Sequence, residues 1–411
     1  MYAWLVLFFI SLAMFGNYYV YDCISPLADV LKAQLGFSDA NIGLLQAIYS
    51  VPNIFMVLIG GIIIDRIGTK KSTFIFAAVC LVGAVLTAAT GRLAIMAAGR
   101  LIFGLGAESL IVAVTTTIAK WFKGKELGFA FGLNLTLARF GSLAALNSPT
   151  WASAAYDRWQ TPLVISVAFA ITSAVGALVY WMLESRAERR YELGRGETDK
   201  VVFRDIFRFG VSYWFIVGLC VTFYSAMFPF QTFAVKFFMD AHGTSRELGG
   251  FLSSILTIFA MIGTPLFGLL VDRVGRRSLF MMFGSALIVP VYLMMAYTHV
   301  SLYVPMAMMG IAFSLIPAVM WPSVTYVVEQ NKLGTAYGLM TLVQNVGLAA
   351  FNLMVGWAND ASGASADNPG GYALGMWIFS TLGFLGLLFS ALLRQREVGP
   401  YAHGLETIRA K

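Results

Sequence analysis

Twelve runs of mostly apolar residues, at 3–31, 42–64, 73–91, 94–119, 127–155, 162–183, 210–238, 247–271, 278–298, 301–328, 334–358 and 373–393, leave this 411-residue chain little room for anything else. A helix rises about 1.5 Å per residue, so about 20 apolar residues are needed to cross the hydrocarbon of a bilayer. Runs of that length separated by short polar turns predict an all-α membrane protein with twelve transmembrane helices. Composition agrees: 12% of residues are charged, against about 25% in a soluble domain, and the mean hydropathy is +0.76. The longest polar stretch runs from Glu184 to Arg208, too short for a catalytic or nucleotide-binding domain. No nucleophile, metal-ligand or phosphate-loop pattern is present, so we expect no enzyme, no cofactor and no metal.

The net charge of +7 could point to a polyanion, but its placement argues for topology. Of the 28 Lys and Arg, 21 fall at Arg66 to Lys71, Lys120 to Lys125, Arg186 to Arg208, Arg273 to Arg277, Lys332 and the tail from Arg394. With an even number of spans these segments share one side with both termini, and the positive-inside rule makes that side cytoplasmic. A nucleic-acid partner is therefore not expected. Cys23, Cys80 and Cys220 are odd in number and scattered through apolar runs, and read as small packing residues. His242, His299 and His403 fall at predicted loops or in the tail and receive no chemistry.

The chain repeats itself. Gly61-x3-Asp65-Arg66-x-Gly68-Thr69-Lys70-Lys71 follows the second run, and Gly268-x3-Asp272-Arg273-x-Gly275-Arg276-Arg277 follows the eighth, 207 residues later. Two such loops in register predict two pseudo-symmetric six-helix halves, with boundaries at 1–184 and 209–396, a cytoplasmic linker at 185–208 and a cytoplasmic tail at 397–411. Gly61 and Gly268 are expected to let helices approach closely. Asp65 and Asp272 are expected to sit against a neighbouring helix N-terminus, where the helix dipole favours a carboxylate.

This paired loop resembles that of the major facilitator superfamily, and Arg100-x3-Gly104-x-Gly106 resembles the superfamily's fourth-helix motif. The resemblance implies two bundles related by an axis along the membrane normal, a substrate site near the midplane, and transport by alternating access. The loop residues, including Arg66, Gly68, Arg273 and Gly275, would then form a conformational latch. ESLIVAVTTTIAKWFKGKELGFAFGLNLTLARFGS, YWFIVGLCVTFYSAMFPFQTFAVKFF and WPSVTYVVEQNKLGTAYGLMTLVQNVGLA resemble the branch that includes the lysosomal dipeptide transporters. The chain starts directly at its first helix, so the lysosomal address and accessory partner are not carried over from the resemblance; a free-standing version of bacterial type in the inner membrane is expected, and a monomer. Proton-coupled oligopeptide carriers typically carry an ExxER-like cluster in the first helix. FFISLAMFGNYYVYD has none, and the resemblance implies facilitated uniport.

Glu108 and Arg139 lie deep in successive apolar runs, each about fifteen residues from the basic turn near Lys123, and so at similar depth, roughly 23 Å from the loop. An ionised side chain at that depth costs on the order of 2.5–3.5 kcal/mol, which makes it a site candidate by default. The alternative is a structural ion pair. The repeat serves as a control: shifting by 206 residues carries Gly104 to Gly310, Gly132 to Gly338 and Gly141 to Gly347, but Glu108 to Ser314 and Arg139 to Asn345. Scaffold glycines persist and the charges do not, which favours a ligand role.

Helical spacing groups Arg100, Gly104, Glu108, Ile111 and Thr115 on one stripe, and Gly132, Leu135, Arg139 and Ser142 on another. Arg100 is expected to hold backbone carbonyls or a neighbouring helix rather than substrate. Tyr18, Tyr21, Asp22 and Ser25 share a face of the first helix, with Asp22 read as a second ammonium contact, an outer gate or a solvated rim charge. In the second half, Tyr224, Phe228 and Gln231 line up around Pro229, Lys236 and Asp240 read as rim charges, and Trp321, Thr341, Asn345 and Asn352 as pocket lining.

A zwitterion demands one fixed anion and one fixed cation in a dry site. The expectation is a transporter of short peptides, dipeptides in the first place, with Glu108 for the ammonium and Arg139 for the carboxylate. Free amino acids satisfy the same charge logic. A small organic anion carried by Arg139, with Glu108 as a proton carrier, is the alternative. The topology has its own test: a cysteine placed at Arg195 should resist an impermeant thiol reagent in intact cells and react after permeabilisation. Reaction in intact cells would overturn the assigned orientation.

Overall fold

In hydrocarbon every backbone N–H and C=O must be satisfied inside the protein, which a helix does along its own length. The computed structural model describes residues 2–122, 126–188 and 209–408, with the side chains of residues 57, 58 and 331 left aside, and it is helical almost throughout. Eleven helices among the described residues are long and apolar enough to cross a membrane, or twelve with the bent third helix counted as one span. The chain divides into two compact units, Met1–Asp199 and Lys200–Lys411.

The first unit contains α1 (Tyr2–Asp22), α2 (Ala28–Leu35), α3 (Asp39–Ile67), α4 (Thr69–Ala89), α5 (Leu93–Phe122), α6 (Leu127–Leu146), the short α7 (Ser148–Trp151) and α8 (Gln160–Ala187). The second contains α9 (Val211–His242), α10 (Arg246–Val274), α11 (Arg277–Tyr297), α12 (Tyr303–Val327), α13 (Leu333–Ala361) and α14 (Ala373–Val398). In the first unit α1 packs on α6 and α8, α3 on α5, and α4 on α5 and α8. The same five pairings recur in the second unit between the corresponding spans, as α9 with α13 and α14, α10 with α12, and α11 with α12 and α14.

The repeat extends to the helix ends. Gly36 and Gly243, at φ of 67° and 63°, close the helices before α3 and α10 in the left-handed region that glycine enters without a steric penalty. Two residues on, the hydroxyls of Ser38 and Ser245 accept from the backbone N–H of Asn41 and Leu248, each at 3.2 Å. Gly68 and Gly275 of the paired basic loops also have positive φ, 83° and 73°, and their N–H groups close the last turns onto Ile64 and Val271.

Several sequence-based boundaries shift. The first apolar run does not continue to 31 as one helix: Pro26 has no N–H to offer the Asp22 carbonyl, so α1 ends at Asp22 and a 3-10 turn, Ser25–Leu27, leads into α2. The fifth run ends at Leu146 rather than 155, because Pro149 cannot donate to Ala145, whose carbonyl is bonded instead by the Ser148 hydroxyl at 2.6 Å. The expected linker starts later than read, since α8 runs to Ala187. From residue 189 it lies outside the described residues, as do Lys123 and Lys125. The tail is no loose end, for Leu405 is fully buried. Glu397 binds it, accepting from Ser212 Oγ at 2.9 Å and from the His403 N–H at 2.7 Å. Glu406 caps α11 by accepting from the Ser278 N–H at 2.9 Å.

Glu184, read as the edge of the linker, is 1% exposed. Its carboxylate ties three helices of the first unit together, accepting from Lys120 Nζ at 2.7 Å, Trp121 Nε1 at 3.0 Å, Thr69 Oγ1 at 3.1 Å and the Tyr180 hydroxyl. Breaking a buried pair by removing one partner strands the other charge, so Glu184→Ala should lower stability by about 3–5 kcal/mol. Thermal unfolding in detergent would show it, and a loss below about 1 kcal/mol would contradict this role.

Candidate functional site

Two glycines bring α5 into backbone contact with its neighbours. A Cβ on Gly104 would lie 2.3 Å from the Tyr49 carbonyl oxygen of α3, and one on Gly106 would lie 2.6 Å from that of Phe76 on α4. The fourth-helix motif is thus a packing device that fixes the position of Glu108 one turn further along. Its arginine is buried at 1% exposure. Arg100 donates to the carbonyls of Val20 (2.9 Å), Tyr21 (3.3 Å) and Leu45 (3.3 Å) and to Gln46 Oε1, with its guanidinium 5.5 Å from the Tyr49 ring centroid and 5.2 Å from that of Phe103. Val20 and Tyr21 end α1, so Arg100 anchors the helix end that carries Tyr18, Tyr21 and Asp22.

The other wall is made by α1 against α6. The Asn134 amide donates to Ser11 Oγ at 2.9 Å, and a Cβ on Gly141 would meet the Phe15 carbonyl oxygen at 2.1 Å, so the two helices touch along their length. This register sets the Arg139 guanidinium 5.5 Å from the Tyr18 ring centroid. Tyr18 is also in electrostatic range of Glu108 and Asp22. Glu108 is 14 residues from the Phe122 end of α5 and Arg139 is 12 from the Leu127 start of α6, about 21 and 18 Å from those ends, at similar depth. The Glu108 carboxylate is half-buried and makes no hydrogen bond or ion pair with any described residue. It is in electrostatic range of Tyr18, Tyr21 and Tyr49. Tyr49 escaped the sequence reading; its position one turn before Asn53 on α3, opposite Gly104, was the available signal.

Asp22 is 8% exposed, which removes the solvated-rim reading. Lys236 and Asp240 need a similar correction. Lys236 is 2% exposed and donates to Asp240 Oδ2 at 2.9 Å and to the Tyr372 hydroxyl, and that hydroxyl donates to Asp240 at 2.5 Å. They form a buried cluster near the end of α9, because long polar side chains this close to the apolar phase gain by pairing.

In the second unit the structure joins Trp321 and Tyr224 through an indole N–H to hydroxyl bond of 2.9 Å, with Tyr224 stacked on Phe228 at 5.7 Å. Tyr337, absent from the sequence reading, donates to the Trp321 carbonyl at 3.2 Å. Asn345 is buried and donates to the Thr341 carbonyl at 2.9 Å. Gln231, also buried, donates to the Ser253 carbonyl at 3.4 Å. Asn352 accepts from Thr232 Oγ1 at 2.9 Å.

Of the paired loops, Asp272 pairs with Arg277, the first residue of α11, at 3.2 Å. Asp65, Arg66, Arg273 and Asp272 are exposed. Gly268 does not do what was expected of it: a Cβ there would meet nothing within 4 Å. The close approach on α10 belongs to Gly263, whose Cβ would lie 2.7 Å from Ser314 Oγ. Among the described residues no three His, Cys, Asp or Glu side chains are grouped to hold a metal ion.

The profile of the Major Facilitator Superfamily matches residues 10–351 and 230–407. Over 374 residues the chain is 35% identical to the lysosomal dipeptide transporter MFSD1 of Danio rerio, covering 87% of this chain and 81% of that protein. It is 34% identical over 373 residues to the MFSD1 of Homo sapiens, covering 87% and 80%. The fold is similar to the crystal structure of a mutant of the nucleoside transporter NupG, with a TM-score of 0.73 at 13% identity over 96% of this chain and 99% of that one.

Proposed function

Because the chain belongs to the Major Facilitator Superfamily and is a membrane transporter of that family, we propose that its cargo is a short peptide, a dipeptide in the first place, recognised at both charged ends and moved by alternating access. The observation that carries this reading is Glu108, a carboxylate midway along a membrane helix that makes no ion pair or hydrogen bond among the described residues. A charge at such depth is retained when something fills its coordination, and a ligand ammonium is the complementary group. Arg139 supplies the second fixed charge, with Tyr18 lying between them in electrostatic terms. Its planar guanidinium can hold a carboxylate with two parallel bonds. Similarity to transporters named for dipeptides favours two residues over one, and a free amino acid or a small organic anion remains the competing cargo.

In this reading Tyr18 and Tyr21 line the charged end. The paired loops act as a latch, with Asp65 and Asp272 biasing conformational states without touching cargo. The membrane is expected to be a bacterial-type inner membrane, with both termini cytoplasmic and the protein a uniporter and a monomer.

A thermal-shift panel on the purified protein tests the cargo. Unmodified dipeptides should stabilise it, while N-acetylated and C-amidated dipeptides and single amino acids should do so weakly or not at all. Arg139→Ala should weaken dipeptide binding by about 2–5 kcal/mol if the charge it strands is buried, and Arg139→Lys should weaken it less. Glu108→Gln should weaken free dipeptides but leave N-acetylated ones unaffected. Stabilisation by organic anions or single amino acids, with none by dipeptides, would move the assignment to another cargo.

A further inference from the structure

Asp22 is a second carboxylate in the charged corner of the first unit, and its surroundings differ from those of Glu108. It is 8% exposed, and the Ser142 hydroxyl of α6 lies beside it. The contacts between α1 and α6 fix where it points. Ser11 with Asn134 and Phe15 with Gly141 hold the helices side by side, and Arg139 lies over Tyr18, one turn before Asp22. One turn beyond Arg139, the buried Ser142 hydroxyl has no hydrogen-bond partner. It lies beside the Asp22 carboxylate. The charged groups in electrostatic range of Asp22 are the two guanidinium groups, Arg139 on α6 and Arg100 on α5. With the Arg139 guanidinium over the Tyr18 ring one turn before it, Asp22 lies beside the cation to which a ligand carboxylate would come. Because Arg100 is bonded to four oxygen acceptors of α1 and α3, it is committed to holding the end of α1, and Arg139 is the cation that Asp22 shares with a ligand.

We propose that Asp22 is an affinity-limiting residue: it is the standing counter-charge of Arg139 in the empty site and repels the carboxylate of an incoming peptide, so that cargo is held weakly enough to be released. This rests on the assignment of Arg139 to the peptide carboxylate. Like charges brought together across a site oppose binding, and a transporter turns over only if release is possible.

Calorimetric titration of the full-length protein in nanodiscs with Ala-Ala and with Ala-Ala amide tests this. Asp22→Asn should bind Ala-Ala about tenfold more tightly and the amide with unchanged affinity. Asp22→Glu, whose longer side chain reaches further toward Arg139, should weaken Ala-Ala and not the amide, and this variant keeps the idea testable if Asp22→Asn does not fold. Weaker binding of both ligands by Asp22→Asn would mean that Asp22 contacts the ammonium, and equal effects on both, including none, would mean that it does not act at the carboxylate; either result overturns the proposal. Arg139→Ala should abolish the preference for Ala-Ala over its amide. If that preference survives, the assignment of Arg139 fails, whatever Asp22 does.

Discussion

A charge left without a partner in hydrocarbon is the arrangement this chain has to avoid, and its ionisable residues can be sorted by how they avoid it. Arg100 spends its guanidinium on three carbonyls and an amide oxygen. Lys120 finds Glu184, and Lys236 finds Asp240 with Tyr372. Each of these charges joins elements that would otherwise meet through apolar contact alone. Against that background Glu108 stands apart, since its carboxylate is bonded to no described residue. Arg100, Lys120, Glu184 and Lys236 are bonded within the scaffold, and Glu108 is left for the site.

Packing puts those groups where they are. Membrane helices lack a hydrophobic drive to associate and depend on close approach through small residues. Gly104, Gly106 and Gly141 bring α5 and α6 into backbone contact with α3, α4 and α1, and Glu108 and Arg139 lie within one turn of those contacts. The glycines that recur in the second unit therefore belong to the frame, while the charges, replaced there by Ser314 and Asn345, belong to the use made of it. The buried Asn345 amide donates to the carbonyl one helical turn back.

The fold was largely legible in the sequence because hydrocarbon thickness dictates run length, and the 207-residue repeat is spelled out in the basic loops. Even the caps at Ser38 and Ser245 keep that spacing. Depth along a helix was legible too, which is how Glu108 and Arg139 stood out. Lateral neighbours were not. A helix that is apolar all round carries no periodicity to say which side faces which helix, so the bonding of Glu184 across three helices and the burial of Lys236 had no signature. Gly268 shows the converse error. A glycine in a recurring motif was read as a packing contact, and on α10 the contact is made at Gly263.

Whether Glu108 and Arg139 serve a ligand or each other is the claim on which the account turns. It is tested most directly by dipeptide uptake into proteoliposomes containing the double variant Glu108→Gln with Arg139→Gln, beside each single variant. Two ligand-binding charges have no reason to compensate one another, so uptake by the folded double variant should be as low as in the weaker single variant or lower. Recovery of dipeptide uptake in the uncharged pair would show that the two residues neutralise each other, and would contradict the site proposed for this chain.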